Sequence, residues 1–248
     1  MERTGIDPGA VEDVMFGCVD TVGGQAGDIA RTCWLAADLP EHVPGTTIDR
    51  QCGSSQQALH FAAQAVMAGS MDVVIAAGVE SMTRVPMGLP ATLPFKKGFG
   101  SYMSPAMQAR YPNVQFSQFA GAEMLAVKYE LTRDELDDYA LRSHQRASEA
   151  TRAGHFSAEV LPLQVHTAEG EATNETHATD EGIRFDATRQ GIGAVKLLHE
   201  GGRHTAATAS QICDGAAALL VVNERGLKLL GGSAKPLARV HQMTVLGH

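Results

Sequence analysis

Cys52-Gly53-Ser54-Ser55 stands between a run of strand-forming residues, Thr46-Thr47-Ile48, and a stretch with helical spacing. A cysteine at such a junction meets the first turn of a helix, where backbone N–H groups lack partners and the helix dipole is positive. Both favour thiolate over thiol. Gly53, Ser54 and Ser55 are small, so an acyl group could reach the sulfur and backbone N–H groups could face an oxyanion. That chemistry is acyl transfer through a thioester on Cys52. Position alone leaves the alternative open, since free cysteines are commonly inert core thiols. Cys18 and Cys33 read as core thiols, and Cys213, beside Ile212, Ala216 and Ala217, reads as buried. The chain has no Cys-x-x-Cys pair, which removes the usual zinc-ribbon and dithiol-redox spacings, and its ten histidines suggest no metal site.

The elements that must position Cys52 are legible around it. The helix after it carries Ala58, Leu59, Ala62, Ala63, Val66 and Met67 on one face, Gln56, Gln57, His60 and Gln64 over much of the rest, and Gly69 at its end. His60 falls on the side away from the sulfur by helical phase. Asp72 to Gly78 is a short apolar run, as in a buried central strand of a parallel sheet. Upstream, Asp7-Pro8 opens a short helix, Val14 to Val19 reads as a strand, and Asp28 is placed to cap a helix through Trp34. Strand, helix and strand in this order give an α/β fold class.

From about Arg84 to His204 the texture changes. Pro86, Pro90, Pro94, Pro105 and Pro112 mark an irregular stretch, followed by helices over about 117–129 and 133–153. The second opens on a capping box, Thr132 to Glu135, with Leu131 and Leu136 as its staple and Gly154 as its stop. Residues 166–186 read as a polar loop. An insertion of this length suits a substrate-handling subdomain. The α/β texture returns at Thr205, with Ala216 to Val222 as a buried strand, a short helix over 223–230 and a further strand opening at Pro236.

Composition bounds the function. The chain has 248 residues, 44% hydrophobic and 19% charged, which is ordinary for a folded protein. Its formal net charge of −8 disfavours nucleic acid or an anionic membrane as a general partner. No apolar stretch is long enough to span a bilayer and the first residues hold no signal-peptide core, so a cytoplasmic location is expected.

Ile48-Asp49-Arg50-Gln51-Cys52-Gly53-Ser54-Ser55-Gln56-Gln57-Ala58, followed by Ala68 to Thr83, resembles the nucleophile segment of thiolases (acetyl-CoA acetyltransferases and 3-ketoacyl-CoA thiolases). Ala209-Ser210-Gln211-Ile212-Cys213-Asp214-Gly215-Ala216-Ala217-Ala218 and the Leu131-Thr132-Arg133-Asp134-Glu135-Leu136 helix start resemble the same family, with similarity from about Gly5 onward. The resemblance implies a layered α/β half, an incomplete sheet with helices on both faces, interrupted by a mainly helical loop domain. It assigns 1–83 and 205–234 to the α/β half, 84–204 to a coenzyme A-binding loop domain and 235–248 to the first strand of a C-terminal half. Cys52 would accept the acyl group of a 3-ketoacyl-CoA and pass it to coenzyme A, or run the reverse Claisen condensation. Ser210, Lys196, Ser117 and Gln118 would contact coenzyme A, a substrate; no cofactor and no metal are implied. The implied partners are acyl-CoA and a second copy of the chain in a homodimer or tetramer, with Thr46 to Gln51 pairing across a two-fold axis.

The chain also departs from the family. Asp49 stands where Asn is usual, Ser55 where Gly is common and Cys213 where many members have Asn; Leu198-His199 replaces an Arg-Pro after Lys196. Ser117 and Gln118 take the place of a His-Met pair, so Phe116, Gln118 and Phe119 are candidates either for a pocket holding a bulkier acyl group or for a packed helix face. The family's Asn-x-x-Gly-Gly…Gly-His-Pro and Cys-x-Gly-Gly-Gly segments are not in this sequence, and Leu246-Gly247-His248 is a poor match to the former. Both ends therefore look incomplete relative to the family, and the isolated chain is expected to be inactive in turnover. A competing reading is a non-catalytic acyl-CoA-binding or assembly module derived from a thiolase.

Overall fold

The computed structural model describes residues 5–114, 116–167, 169–231 and 235–247. They form two compact units, one from the residues up to Tyr102 and from Cys213 onward, the other Met103–Ile212. In the first, strands β1 (Asp13–Gly17), β2 (Gly45–Ile48), β3 (Val73–Ser81) and β6 (Asp214–Val222) make one sheet in the order β2-β1-β3-β6. β1 runs parallel to both β2 and β3, while β6 is antiparallel to β3. The parallel part follows from its helical crossovers, α1 (Ile29–Ala36) and α2 (Ser54–Ala68). β6 returns only after the second unit, so no helical crossover dictates its direction, and the sheet is mixed rather than purely parallel.

Alternation along the strands sends side chains to both faces. Val14 and Val73 pack with Trp34 of α1, together with Val11 and Val43, while Met15, Val74 and Ala76 pack with Ala58, Ala62 and Val66 of α2. The sheet thus has a helix on each face. Met67 lies outside this core, exposed, while Gln57 and His60 are buried, so the covered stripe of α2 is rotated toward its polar residues. Asp28 precedes α1 in a left-handed conformation (φ 62°) and makes no side-chain cap; its carboxylate instead accepts from the Thr47 hydroxyl at 2.6 Å. β6 is paired with β3 but mostly exposed, Leu219 to 54%. The expectation of a buried strand fails because an apolar run does not say which face is covered.

Two further elements differ from expectation. The proline-rich stretch contains α3 (Leu89–Lys96) and α4 (Pro105–Arg110). Pro90 and Pro105 sit in first turns, where a missing N–H is harmless, and Ser104 caps α4 through the Met107 N–H at 3.3 Å. Pro236 to His241 pairs with no strand among the described residues. Gly88 N–H donates to the buried carboxylate of Asp20 at 3.1 Å, tying the residues after β3 to the first unit, so that unit continues to Tyr102.

In the second unit α5 (Gln118–Lys128) precedes α6 (Arg133–Arg152), whose capping box forms as the sequence indicates, Thr132 with Glu135. Residues 166–186, read as a loop, include β5 (Ala172–His177), antiparallel to β4 (Leu163–His166). Both strands lie almost wholly in solvent, so no apolar alternation marks them. α7 (Arg189–Gly193) is clamped to α6: Arg189 bridges Asp134, Asp137 and Asp138, and Arg133 also holds the buried Asp137. Leu197 bridges Thr205, and Leu198 N–H donates to the His204 carbonyl, which keeps residues 205–212 in this unit. The short helix α8 (Glu224–Leu229), capped by Asn223, follows β6 in the first unit.

Candidate active site

β1 and β2 end side by side, and β3 runs three residues past them to Ser81. Gly17 is in register with Ile48 on one side and Gly78 on the other. The N-terminus of α2 is seated on this row, and the two glycines are what let it come so close. A Cβ on Gly17 would lie 2.2 Å from the Ser55 backbone nitrogen, and one on Gly78 would lie 2.0 Å from the Ser55 hydroxyl.

Between β2 and α2 the chain makes a tight turn from Asp49 to Gly53. Gly53 N–H donates to the Arg50 carbonyl and Ser54 N–H to the Gln51 carbonyl, each at 3.0 Å. Gln51 takes a left-handed conformation (φ 48°), uncommon for a residue with a side chain. The Asp49 carboxylate accepts from the Gln51 N–H at 2.7 Å. The Ser54 hydroxyl donates to the Gln51 carbonyl at 2.6 Å and accepts from the Arg50 N–H at 3.0 Å. Cys52 follows Gln51, exposed, and Gly53 is the helix cap, so the cysteine stands one residue before the cap. Among the described residues, the Ser55 and Gln56 N–H groups donate to no protein acceptor and no side chain hydrogen-bonds to the Cys52 sulfur. An exposed thiol just before a helix start with unpaired N–H groups has the makings of a nucleophile with donors for an oxyanion.

The other cysteines divide by environment. Cys18 is buried at the end of β1, and burial together with the adjacent Glu80 carboxylate pushes its thiol up to about 12. It is a core thiol with no nucleophile at neutral pH. Cys33 is half-buried, and burial raises it as well. Cys213 is exposed, against the expectation of burial, because it enters β6, whose own apolar residues are uncovered.

Sequence reasoning missed a polar knot at the same end of the sheet. The Glu80 carboxylate accepts from the Val19 N–H at 2.9 Å, the Asp20 N–H at 3.2 Å and the Gln25 amide at 2.8 Å. Gln25 returns an acceptor to the Ser81 N–H at 2.5 Å. Asp20 and Gln25 are buried, and burial raises the Asp20 carboxyl above its ordinary value. The signal available was a glutamate continuing an apolar strand. Nearby, Asp214 accepts from the Thr83 hydroxyl at 2.5 Å and its N–H at 2.9 Å, so its carboxyl lies below the usual range, the Thr83 hydroxyl contributing most.

Cys52 belongs to the first unit; Ser117, Gln118, Lys196 and Ser210 belong to the second. Ser117 is half-buried at the cap of α5 without a side-chain cap bond, and Gln118, exposed, begins that helix. Phe116 and Phe119 are exposed beside them. Lys196 and Ser210 are exposed on either side of the Leu197–Thr205 bridge. Glu123 accepts the Arg203 N–H at 2.9 Å and lies 3.8 Å from the His199 ring. His248 lies outside the described residues.

Residues 1–225 match the family model described as "Thiolase, N-terminal domain". The chain is 46% identical over 246 residues to the steroid 3-ketoacyl-CoA thiolase FadA6 of Mycobacterium tuberculosis, covering 98% of this chain and 58% of that protein. It is 37% identical over 244 residues to 3-ketoacyl-CoA thiolases of Cronobacter sakazakii and Idiomarina loihiensis, covering 98% of this chain and 59% of each of those proteins. The chain thus spans under two thirds of the length of these relatives. Strand ends that deliver an exposed cysteine to a helix mouth, and a match over nearly all of the chain, place it in one family: the chain belongs to the thiolases and carries their N-terminal domain.

Proposed function

We propose that this chain is the nucleophile-bearing part of a 3-ketoacyl-CoA thiolase, with Cys52 as acyl acceptor. In thiolysis the Cys52 thiolate adds to the 3-keto carbon of the substrate. The bond between C2 and C3 breaks, the acyl group stays on sulfur as a thioester, and the departing acetyl-CoA carbanion takes up a proton. Coenzyme A thiolate then attacks the thioester, releasing acyl-CoA and regenerating Cys52; the reverse sequence is a Claisen condensation. The observation that carries this reading is the exposed Cys52 one residue before the cap of α2, whose Ser55 and Gln56 N–H groups donate to no described acceptor.

The coenzyme A contacts follow from the same reading: Ser117, Gln118, Lys196 and Ser210 are the residues of the second unit assigned to it. The substrate is of the class that the name of the M. tuberculosis relative states, a steroid 3-ketoacyl-CoA. In support, identity to that relative exceeds identity to the two other 3-ketoacyl-CoA thiolases, and Phe116 and Phe119 are exposed. Self-association through β2 is part of this reading, because among the described residues β2 is an edge strand with no partner on its outer side. A cytoplasmic location fits the four free cysteines, and no described helix is long and apolar enough to cross a membrane.

Acyl transfer to sulfur can be read directly. Purified chain incubated with acetyl-CoA or a bulkier acyl-CoA gains one acyl group on the Cys52 peptide by mass spectrometry, and Cys52→Ala does not. Coenzyme A binding with an unmodified Cys52 would overturn the acyl-acceptor role and leave a binding module.

A further inference from the structure

We propose that Ser54 is a positioning residue for the Cys52 thiol: its hydroxyl accepts from the Arg50 N–H and donates to the Gln51 carbonyl, and so holds the left-handed turn that presents the cysteine. This rests on reading Cys52 as the reacting thiol, but not on which acyl group it takes. Nothing in acyl chemistry requires a hydroxyl at position 54, and the assignment comes from geometry alone.

Gln51 is the strained member of the turn. Its positive φ is one that side-chain-bearing residues leave unless their surroundings over-determine it. The restraints come from two sides. From the strand side, Asp49 accepts the Gln51 N–H. From the helix side, Ser54 takes the Arg50 N–H and donates to the Gln51 carbonyl. These are the Ser54 hydroxyl's contacts, one accepted and one donated. Ser54 is 4% exposed, so little water competes for them.

The helix-side restraint has a second consequence. Ser54 and Ser55 are consecutive, and Ser55 is the residue fitted against Gly17 and Gly78. Through Ser54 the turn therefore takes its position from the sheet, two residues from the cysteine. Removing the hydroxyl leaves the Arg50 N–H without its acceptor, while the Gln51 carbonyl keeps only the Ser54 backbone N–H. The turn then relaxes toward negative φ at Gln51, and Cys52 leaves its place before the cap.

The test compares two exposed thiols in one molecule. Alkylation by iodoacetamide is followed peptide by peptide for Cys52 and Cys213, with melting temperature measured in parallel. In Ser54→Ala the Cys52 rate falls about tenfold relative to Cys213, because the thiol is no longer held in its place before the α2 cap. Ser54→Thr, which keeps the hydroxyl, restores the ratio. Gln51→Gly supplies a residue that adopts positive φ freely, so in that background Ser54→Ala changes the ratio little. This background also serves where Ser54→Ala alone does not fold. An unchanged ratio in folded Ser54→Ala would overturn the proposal, as would an undiminished effect in the Gln51→Gly background. The readout needs no acyl-CoA, so failure of Cys52 to acylate would sink the functional reading while leaving this result intact.

Discussion

The two glycines under the start of α2 make opposite predictions for what can rescue them. A Cβ on Gly78 would meet only side-chain atoms of Ser55, Oγ at 2.0 Å and Cβ at 2.9 Å, with the Gly17 carbonyl next at 3.2 Å. Gly78→Ala therefore overpacks the site and costs about 1–3 kcal/mol. Ser55→Gly removes both clashing atoms, so the double variant recovers most of that loss, less the small penalty of glycine near a helix start. A Cβ on Gly17 instead meets backbone, the Ser55 nitrogen at 2.2 Å, the Ser54 carbonyl carbon at 2.4 Å and the Ser55 Cα at 2.6 Å. Relief requires the helix end to retreat by roughly 1 Å to reach ordinary contact. Gly17→Ala thus costs more than about 3 kcal/mol, and Ser55→Gly does not rescue it. Urea denaturation of the five variants, Ser55→Gly alone included, measures the coupling, and Cys52 alkylation reports whether the turn moved. A Gly78→Ala variant within about 0.5 kcal/mol of the parent, or equal rescue of both alanines by Ser55→Gly, would refute the seating of α2 on this row.

Three further outcomes follow from the electrostatics. Asp214, whose carboxyl Thr83 holds below its ordinary value, contributes stability that is present above the unfolded carboxylate range and is lost as pH falls through the lower folded value. Thermal melts between neutral and strongly acidic pH should therefore lose less in Thr83→Val than in the parent. Cys18 has the opposite sign: its folded thiol sits at about 12, so its contribution is intact below the unfolded value of 9.0 and declines as pH rises between the two. The decline is at most about 1.4 kcal/mol per pH unit. Cys18→Ala should flatten the alkaline limb of the stability profile, and in the parent at pH near 8 iodoacetamide should mark Cys52 and Cys213 but not Cys18. In the second unit, Asp137→Ala leaves Arg133 and Arg189 without their shared buried carboxylate. The cost is about 3 kcal/mol, the low end for breaking a buried pair because both arginines keep surface in water; hydrogen exchange of α6 and α7 would locate it, and unchanged protection there would count against the clamp.

What the residues disclosed in advance follows the range over which each signal acts. α6 was readable because its start is a local device, Thr132 with Glu135 three positions on, and the same pair forms. α2 and β3 were readable because their apolar residues repeat at helical spacing or run unbroken. β4 and β5 were not, since Leu163 and its neighbours stay in water and no core imposes alternation. Asp28 had the residue type of a cap, yet its backbone turned left-handed and its carboxylate went to Thr47, a partner 19 positions away. The Glu80 knot escaped for the same reason: Gln25 lies 55 positions upstream, and only the β1–β3 register joins them. Cys52 could be singled out because its chemistry depends on a junction between adjacent elements. The Ser54 bridge could not, because a serine in a first turn announces no partner until Gln51 is seen to be left-handed.

Fold and site share one row of atoms, which bears on how either can change. Ile48, Gly17, Gly78 and Ala217 are aligned across the four strands. The row lies where β1 and β2 end and close to the end of β3, and in open α/β sheets the crevice beyond the carboxyl ends of the strands is where ligands are met. Beyond it stand the Asp49–Gly53 turn, the Glu80 knot and the Asp214–Thr83 pair. A slip of one residue in the β1–β3 register would replace a glycine under Ser55 with Phe16 or Cys18, or with Ala77 or Val79, and would also invert which side chains face α2. Core packing on α2, through Met15, Val74 and Ala76, therefore selects the same register that the cysteine turn requires. Substitutions that merely loosen this core should disturb Cys52 before they unfold the chain, because the left-handed Gln51 is held only while the helix end stays seated on the two glycines.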